Sequence, residues 1–216
     1  MAHVVIFGGH GKVALLTVPL LVQRGDRVSA VIRNPEHVAE VEAVGAAAVV
    51  ADVERCDVSE IADLLVEADA VVWSAGAGGG SPERTYAVDR DAAIRSMDAA
   101  AAAGVQRYLM VSWLGSRPDH GVAPEDPFFA YADAKLAADD YLRGTDLDWT
   151  ILSPGTLTLD SGSGDIQLDP PGRGEVSRAD VAAVIAATLT EPDTVARTIR
   201  FGNGGTPIAE ALRSGV

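Results

Sequence analysis

The chain is poor in cysteine and in basic residues. It contains a single cysteine, Cys56, so it cannot form an intramolecular disulfide bond, and this composition suits a reducing compartment such as the cytoplasm. Its 17 lysines and arginines are outnumbered by 31 aspartates and glutamates, which gives a formal net charge of −14. Nucleic acids and anionic membrane surfaces bind proteins through basic patches. The charge balance therefore argues against both as partners.

Long hydrophobic runs and metal-ligand patterns are also missing. No apolar stretch is long enough to span a bilayer, and the alanine run at residues 99–103 is short and has charged neighbours. The first apolar run, residues 4–7, has no positively charged leader before it, so we expect no signal peptide. His3, His37 and His120 lack the spacing of metal ligands, so we expect no metal site.

The sequence does contain a regular alternation of short β-rich runs and helical segments. Strands are predicted at residues 4–7, 27–32, 46–51, 70–73, 105–112, 149–152 and 198–201. Helices are predicted at residues 12–24, 35–44, 59–67, 85–103, 128–143 and 177–189, with Ser59 as an N-cap and a kink at Pro19. This alternation predicts a parallel sheet covered on both faces, which is the doubly wound α/β Rossmann fold.

No linker divides the chain, so we expect one domain over residues 1–216. Residues 153–175 are rich in glycine, proline and serine and show little periodicity, which is typical of a functional lid or a mobile segment. From about residue 153 to residue 216, the chain is expected to form a small lobe on the substrate side.

A glycine-rich turn follows the first predicted strand. Gly8, Gly11 and Ala14 form the pattern G-x-x-G-x-x-A where that strand meets the first helix. The glycines allow a tight turn and a close approach to a pyrophosphate, which the free N–H groups of the helix N-terminus bind. The predicted phosphate-binding residues are Gly8, Gly9, His10, Gly11, Lys12 and Val13, of which His10 and Lys12 are expected in solvent. A tight turn without a ligand is the alternative.

Arg33, at the end of the second predicted strand, indicates which dinucleotide binds. NAD sites usually carry an acidic residue here, whereas a guanidinium binds the 2′-phosphate of NADP through two hydrogen bonds. We therefore expect NADP, with NAD possible and a solvated Arg33 as the alternative. Asp52 is expected to accept a hydrogen bond from adenine or to cap the next segment. Further cofactor contacts are predicted at Val53, Ala75, Gly76 and Ala77.

Tyr131 and Lys135 stand four residues apart in a predicted helix, so they share one helix face. A neighbouring ammonium group favours the phenolate and lowers the pKa of a tyrosine, which can then act as an acid or a base near neutral pH. A surface pair without function is the alternative, because this spacing is common by chance. The position after a dinucleotide loop and a fifth strand favours the catalytic interpretation.

These motifs together resemble the short-chain dehydrogenase/reductase superfamily, in particular its atypical, NmrA-like NAD(P)-binding subgroup. The resemblance covers nearly the whole chain and is carried by residues 8–14, 33–35, 52, 74–78, 104–108, 111–112, 131, 135, 150–155 and 177–182.

The resemblance implies a role for each matching residue. Tyr131 would donate a proton to a carbonyl oxygen, while Lys135 would bind the nicotinamide ribose and lower the pKa of Tyr131. Ser112 would orient the carbonyl, and Pro154 would pack near the nicotinamide.

The sequence departs from the family pattern at three places, one of which is Ser153, where relatives often have an arginine before the Pro-Gly pair. Many relatives carry the active serine one or two residues later, where this chain has Trp113 and Leu114. Relatives often have asparagine at the position of Asp89.

The sequence thus predicts an NADP(H)-dependent oxidoreductase that reduces a small carbonyl-type or related acceptor, with Tyr131 as the proton donor. The alternative from another class is a non-enzymatic NADP(H) sensor of the NmrA-like type that regulates a protein partner. A sugar-nucleotide epimerase or dehydratase is disfavoured, because few residues follow the sixth predicted strand. The small-molecule substrate and the oligomeric state are left open.

Overall fold

A computed structural model describes residues 1–79 and 81–214 of the chain. Its strands are β1 His3–Phe7, β2 Arg27–Ile32, β3 Ala47–Val50, β4 Ala70–Trp73, β5 Arg107–Val111, β6 Asp148–Pro154, β7 Thr156–Thr158, β8 Asp165–Leu168, β9 Glu175–Ser177, β10 Arg197–Asn203 and β11 Thr206–Pro207. In this part of the chain, nine of them form one sheet in the order β11-β8-β10-β6-β5-β4-β1-β2-β3. The other two, β7 and β9, pair with each other.

Helices cover both faces of the large sheet. They are α1 Lys12–Arg24, α2 Val38–Ala43, α3 Val58–Asp63, α4 Pro82–Thr85, α5 Ala93–Ala103, α6 Phe129–Arg143, α7 Arg178–Thr188 and α8 Ile208–Ser214. A π-helical segment, Tyr86–Ala92, joins α4 to α5, and 3₁₀ turns lie at Pro35–His37 and Pro192–Thr194. No helix among the described residues is both long and apolar enough to cross a membrane.

Alternate residues of β1 feed two hydrophobic cores. Val4 and Ile6 pack with buried residues of α1, α2, α7 and α8. Val5 and Phe7 pack on the other face, with α3, α5 and α6. A strand buried on both faces is apolar throughout, as expected for a parallel sheet between two helical layers. This arrangement confirms the predicted doubly wound α/β fold.

One edge of the sheet differs from the all-parallel prediction. The seven strands from β10 to β3 run parallel. At the edge, however, β8 runs antiparallel to both β10 and β11. The sheet is therefore mostly parallel with an antiparallel border, because the chain turns back after β7 instead of crossing over through a helix.

Residues 153–175 contain short strands, so the expectation of a long segment without regular elements was wrong. Strand β7 pairs with β9, and β8 pairs with β10, so each strand depends on a partner far along the chain. Short strands of this kind carry too few residues for a visible periodicity. The sequence analysis also missed β11 and α8, which follow what was predicted to be the last strand.

Several helix boundaries also differ from the prediction. Residues 35–44 form a 3₁₀ turn followed by the short α2. Helix α1 is not interrupted at Pro19, which lies on its exposed side, where water can satisfy a carbonyl left without its N–H partner. Ser59 is not the N-cap of α3. Asp57 is, because its carboxylate accepts a hydrogen bond from the Glu60 amide at 2.9 Å while the Glu60 carboxylate accepts one from the Asp57 amide.

Asp57 and Ser59 are expected to contribute differently to the stability of the protein. We expect Asp57→Ala to lower the melting temperature by about 2–4 °C, since it removes the reciprocal cap of α3. Ser59→Ala removes only an exposed hydroxyl that donates to Asp57 and should lower it by clearly less. Thermal unfolding followed by circular dichroism compares them, and a larger loss in the Ser59 variant would contradict the assignment of the cap.

Candidate functional site

The carboxyl ends of six parallel strands, β1 to β6, meet at one edge of the sheet. The loops that follow β1, β2, β3 and β4 carry predicted cofactor contacts, the loop after β5 carries Ser112, and Pro154 is the last residue of β6. Ligands of open α/β sheets bind at this edge, where the strand order reverses. The fold therefore brings the two predicted groups of site residues to the same edge.

The glycine turn after β1 is closed against the loop after β4. Gly8 has a φ of +78°, and a Cβ added to it would lie 2.6 Å from the Cα of Ala75. A Cβ on Gly9 would lie 2.5 Å from the Cβ of Ala30 in β2. Only glycine fits at these two positions, so the turn passes between its two neighbouring strands without side chains.

The first turn of α1 has no side-chain cap. Gly11 is its N-cap residue, with extended backbone, and its amide donates to the Gly8 carbonyl at 2.8 Å. The amides of Lys12 and Val13 open the helix, at the positive end of its dipole. The Lys12 side chain is exposed and that of Val13 is buried. This end of α1 is suited to bind a phosphate.

His10 makes specific contacts, contrary to the expectation that it lies free in solvent. Its ring stacks on that of His37, with centroids 3.6 Å apart and planes 17° apart. Its Nε2 lies 3.0 Å from a carboxylate oxygen of Glu40. The stacked pair joins the phosphate loop to the segment that follows β2, so the two loops of the predicted adenosine end support each other.

Arg33 lies at the end of β2 with its guanidinium largely exposed. Its only ion pair within the described residues is a long one, 3.9 Å to Glu54, and 57% of its side chain is exposed. Glu54 also pairs with Arg84, at 3.3 Å. Arg33 is therefore loosely held and available to a phosphate, although the same phosphate would approach the Glu54 carboxylate.

Asp52 and Val53 follow β3 in a loop that the half-buried guanidinium of Arg95 organises. Arg95 of α5 donates to the carbonyls of Val53, Glu54 and Cys56 at 2.9–3.1 Å. Within the described residues, Asp52 is paired only with the exposed Arg55, at 3.7 Å. The Asp52 carboxylate therefore remains accessible at this end of the site.

Residues 75–77 pass directly over the carboxylate of Asp89. The Ala77 amide donates to Asp89 at 2.9 Å, and a Cβ on Gly76 would lie 2.9 Å from the other carboxylate oxygen. Asp89 belongs to the π-helical segment, and only 2% of it is exposed. Burial raises the pKa of Asp89, while Lys135 and the Ala77 amide oppose this rise. Segments of π-helix often occur at functional sites.

Tyr131, Lys135 and Asp139 follow one another at four-residue intervals on α6, so they share one face. Lys135 is 1% exposed, and its ammonium group donates to the Val111 carbonyl at 2.7 Å. Burial lowers the pKa of Lys135, and the carboxylates of Asp139 and Asp89 oppose this effect.

The expected lowering of the Tyr131 pKa is wrong for this state of the protein. Burial raises the pKa of the Tyr131 phenol, and the carboxylates of Asp89 and Asp139 raise it further. The charge of Lys135 is divided between these carboxylates, and its hydrogen bonds go to β5 instead of the phenol. Tyr131 therefore carries its proton at neutral pH.

Ser112 is buried directly after β5, and its hydroxyl donates to Asp139 Oδ2 at 2.5 Å. The hydroxyl of Ser116 donates to the same oxygen at 2.5 Å. The sequence analysis identified neither Asp139 nor Ser116. The spacing of Asp139 four residues after Lys135 was a usable signal, whereas Ser116 joins the cluster only through the turn that follows β5.

A cavity of about 260 Å³ lies beside the phenol of Tyr131. Its lining residues are Ala77, Gly78, Gly79, Pro82, Thr85, Asp89, Pro127, Phe128, Ala130 and Tyr131. The indole of Trp113 packs edge-on against Phe128, with ring centroids 5.0 Å apart. Pro154 is buried, and its carbonyl accepts a hydrogen bond from Leu114, which fixes the turn that carries Trp113.

A larger cavity of about 650 Å³ opens at the opposite edge of the sheet, between Met1 and Arg107. It contains none of the predicted site residues. Its arginines are engaged, since Arg24 pairs with Asp26 and Arg107 donates to two carbonyls and two threonine hydroxyls. The smaller cavity is therefore the better candidate for the site of chemistry.

A family model for NAD(P)H-binding proteins matches residues 8–192, a segment that contains every site residue described above. The chain belongs to this family of NAD(P)H-binding proteins. The resemblance to atypical short-chain dehydrogenase/reductases and the expectation of a nicotinamide dinucleotide as cofactor are thereby confirmed.

Relatives of this NAD(P)H-binding protein are similar over their full length. An uncharacterized sugar epimerase, YhfK of Bacillus subtilis, is 36% identical over 97% of this chain and 98% of its own. A Bacillus halodurans structure described as an NAD-dependent epimerase/dehydratase is 31% identical, with a TM-score of 0.91 over 99% of this chain and 100% of that one. The oxidoreductase ylbE of Lactococcus lactis is 30% identical, with a TM-score of 0.88 over 98% and 95%. The expectation of an NAD(P)-dependent enzyme is confirmed at this level.

The role of Gly8 in cofactor binding can be separated from the strain that any side chain causes at a left-handed backbone position. We expect Gly8→Ala to destabilise the fold and to abolish NADPH binding, because the new Cβ would clash with the Ala75 backbone inside the phosphate turn. Gly25→Ala is the matched control, since Gly25 has a φ of +94° and open space around it. It should cost about 1–2 kcal/mol in strain and leave binding intact.

Thermal unfolding and titration by NADPH fluorescence measure the two effects. Binding of NADPH to the Gly8 variant with the affinity of the unmodified protein would contradict this site.

Proposed function

We propose that this protein is an NADP(H)-dependent oxidoreductase that reduces a small carbonyl-type or related acceptor, with Tyr131 as the proton donor. The observation that carries the proposal is the position of Tyr131. It lines the 260 Å³ cavity at the edge of the sheet that carries the phosphate turn, and shares a helix face with the buried Lys135.

The residues at this edge fit a dinucleotide from end to end. The turn that passes between β2 and β4 without side chains leaves room for a pyrophosphate over the amides of α1. The residues that would hold the cofactor are Gly8, Gly9, His10, Gly11, Lys12 and Val13 at the pyrophosphate, Arg33 at the 2′-phosphate, Asp52 and Val53 at adenine, and Ala75, Gly76, Ala77, Lys135 and Pro154 toward the nicotinamide. Residues 1–216 act as one domain in this proposal, with the chain from about residue 153 on the substrate side.

Arg33 supports NADP over NAD as the cofactor. No carboxylate stands at the end of β2 to bind the ribose hydroxyls, because Arg33 and Asn34 follow the strand directly. The exposed guanidinium of Arg33, which has only a long 3.9 Å contact with Glu54, would bind the doubly charged 2′-phosphate.

The chemistry follows from the protonation state of Tyr131. When bound, the nicotinamide supplies a hydride, and thus two electrons, to the carbonyl carbon. Tyr131 gives its phenolic proton to the carbonyl oxygen, and the product is an alcohol. The raised pKa of Tyr131 ensures that the proton is present at neutral pH. The phenolate regains a proton from solvent, and the ammonium group of Lys135, one helix turn away, would hold the nicotinamide ribose.

Two other functions have a specific observation in their favour. The Ser112 hydroxyl is committed to Asp139, which favours an NADP(H) sensor that controls a protein partner without turnover. The name of the relative YhfK favours a sugar epimerase. An assay of NADPH oxidation with aldehydes, ketones, quinones and flavins, beside an epimerase assay and a pull-down with and without NADPH, distinguishes the three.

Tyr131→Phe removes the proposed donor and leaves the ring in place. We expect kcat to fall about 10²–10⁴-fold with any acceptor that the unmodified protein reduces, and the Kd for NADPH to change less than twofold. Tyr141→Phe is the control, because Tyr141 lies on the same helix with its hydroxyl on Asp98 at the surface. Undiminished turnover in the Tyr131 variant would rule out the role of donor.

Arg33→Ala tests the preference for NADP. We expect the Kd for NADPH to rise about tenfold while that for NADH stays the same, since only the 2′-phosphate loses its partner. Arg27→Ala is the control, because Arg27 starts the same strand at the opposite edge and is 56% exposed beside Glu67. An equal loss of affinity for NADPH and NADH would contradict the assignment of Arg33.

A further inference from the structure

Asp139 holds two serine hydroxyls on a single carboxylate oxygen. The residue is fully buried on α6, and both Ser112 and Ser116 donate to its Oδ2. Its Oδ1 is buried and has no hydrogen-bond partner within the described residues. A buried carboxylate in which one oxygen accepts two hydrogen bonds and the other accepts none is energetically costly. This cost indicates that Asp139 has a role beyond packing.

The two serines are the ends of the turn after β5. Between them, the Leu114 amide donates to the Pro154 carbonyl, and the Ser116 amide donates to the Trp113 carbonyl. The Trp113 ring lies over Gly115, where a Cβ would come within 2.1 Å of the indole. It also packs against Phe128 and Tyr131, with ring centroids 5.0 and 6.5 Å apart. Asp139 therefore fastens both ends of a turn whose middle packs on the proton donor.

The direction of these hydrogen bonds limits what Ser112 offers to a substrate. An ionised carboxylate only accepts, so both serines must donate to it. Ser112 then has only lone pairs to offer a substrate, whereas Tyr131 has its proton. One donor and one acceptor match an alcohol hydroxyl, and a carbonyl oxygen, which only accepts, matches two donors. Because Oδ1 of Asp139 has no partner within the described residues, a proton on Asp139 gains a hydrogen bond only on Oδ2, where it is donated to Ser112, and the Ser112 hydroxyl is then free to donate to the substrate.

We propose that Asp139 is a positioning residue that sets the hydrogen-bond direction of Ser112, and so determines whether the site binds a hydroxyl or a carbonyl oxygen. The proposal rests on the proposed function and on the role that the family resemblance implies for Ser112, which is to orient the carbonyl oxygen that Tyr131 protonates. Asp139 in its ionised form favours the alcohol, and Asp139 in its protonated form favours the carbonyl.

The surroundings of Asp139 raise its pKa, so Asp139 exchanges its proton at a higher pH than an ordinary aspartate. Burial is the largest influence and raises the pKa of Asp139 above 3.8, while Lys135, the two serines and Arg143 oppose the rise. Lys135 and Arg143 lie on the same helix, the serines come from β5 and its turn, and Asp89 of the π-helical segment faces Lys135. Carbonyl reduction is therefore favoured at low pH and is lost as the pH rises through the pKa of Asp139.

The first experiment needs no substrate. Tryptophan emission is followed against pH, with Trp113→Phe to identify the signal of the turn among the three tryptophans. We expect a transition with its midpoint above pH 3.8 that is absent in Asp139→Asn. Ser116→Ala should move the midpoint upward, because the ionised carboxylate loses one of its two donors. Circular dichroism confirms that each variant is folded at the pH values used.

A transition that persists in Asp139→Asn would overturn the proposal. If that variant does not fold, an unchanged midpoint in Ser116→Ala would overturn it equally.

The second experiment uses the acceptor and the corresponding alcohol that turn over best in the assay above. We expect kcat for reduction to fall, and kcat for oxidation to rise, by about tenfold or more across the same transition. In Asp139→Asn both profiles should be flat there, with the Kd for NADPH within twofold of the unmodified protein. A purely structural residue would change stability or binding and leave the shape of the profiles intact.

The outcomes separate the two proposals. Turnover with identical pH profiles in the Asp139 variant contradicts the role of Asp139 and leaves the oxidoreductase intact. Absence of turnover, with the fluorescence transition behaving as expected, contradicts the oxidoreductase and leaves Asp139 as the residue that directs Ser112.

Discussion

The parallel register of β1 between β2 and β4 is the constraint on which the site depends. It brings the glycine turn after β1 within van der Waals contact of the backbone after β4 and of Ala30 in β2. Because both neighbours lie so close, no side chain can occupy the turn, and the amides of α1 are left exposed at the edge of the sheet. The apolar residues of β1 fix this register by filling the cores on both faces.

Beyond the phosphate turn, the site is organised by three charges buried between α6 and the π-helical segment. Asp89, Lys135 and Asp139 are each at most 2% exposed. Burial of a single charge in this environment would be prohibitive, and Lys135 offsets the cost by lying between two carboxylates. Burial of the Tyr131 phenol, together with these carboxylates, explains why it holds its proton more tightly than an isolated tyrosine. The same cluster connects the helix that carries Tyr131 to the turn that carries Trp113.

Local patterns in the sequence predicted most of this fold, and non-local pairing accounts for what was missed. The strand, glycine turn and helix at residues 4–24 are contiguous, so their pattern is visible in one window. Strands β7 and β8 depend on partners that lie far along the chain, and nothing in their own composition marks them. The sign of the Tyr131 pKa shift was wrong for a related reason. Spacing showed that Lys135 is near, but only the structure shows that Asp89 and Asp139 share its charge.

Residues 82–103 form one continuous helical segment that holds two loops. Arg84 donates to the Ala77 carbonyl, and the Asp89 carboxylate accepts from the Ala77 amide. Arg95 donates to the Val53 carbonyl in the loop after β3. The loop after β3 and the loop after β4 are therefore attached to the same helical segment. A displacement of this segment would move both loops together, whereas the sheet would stay in place.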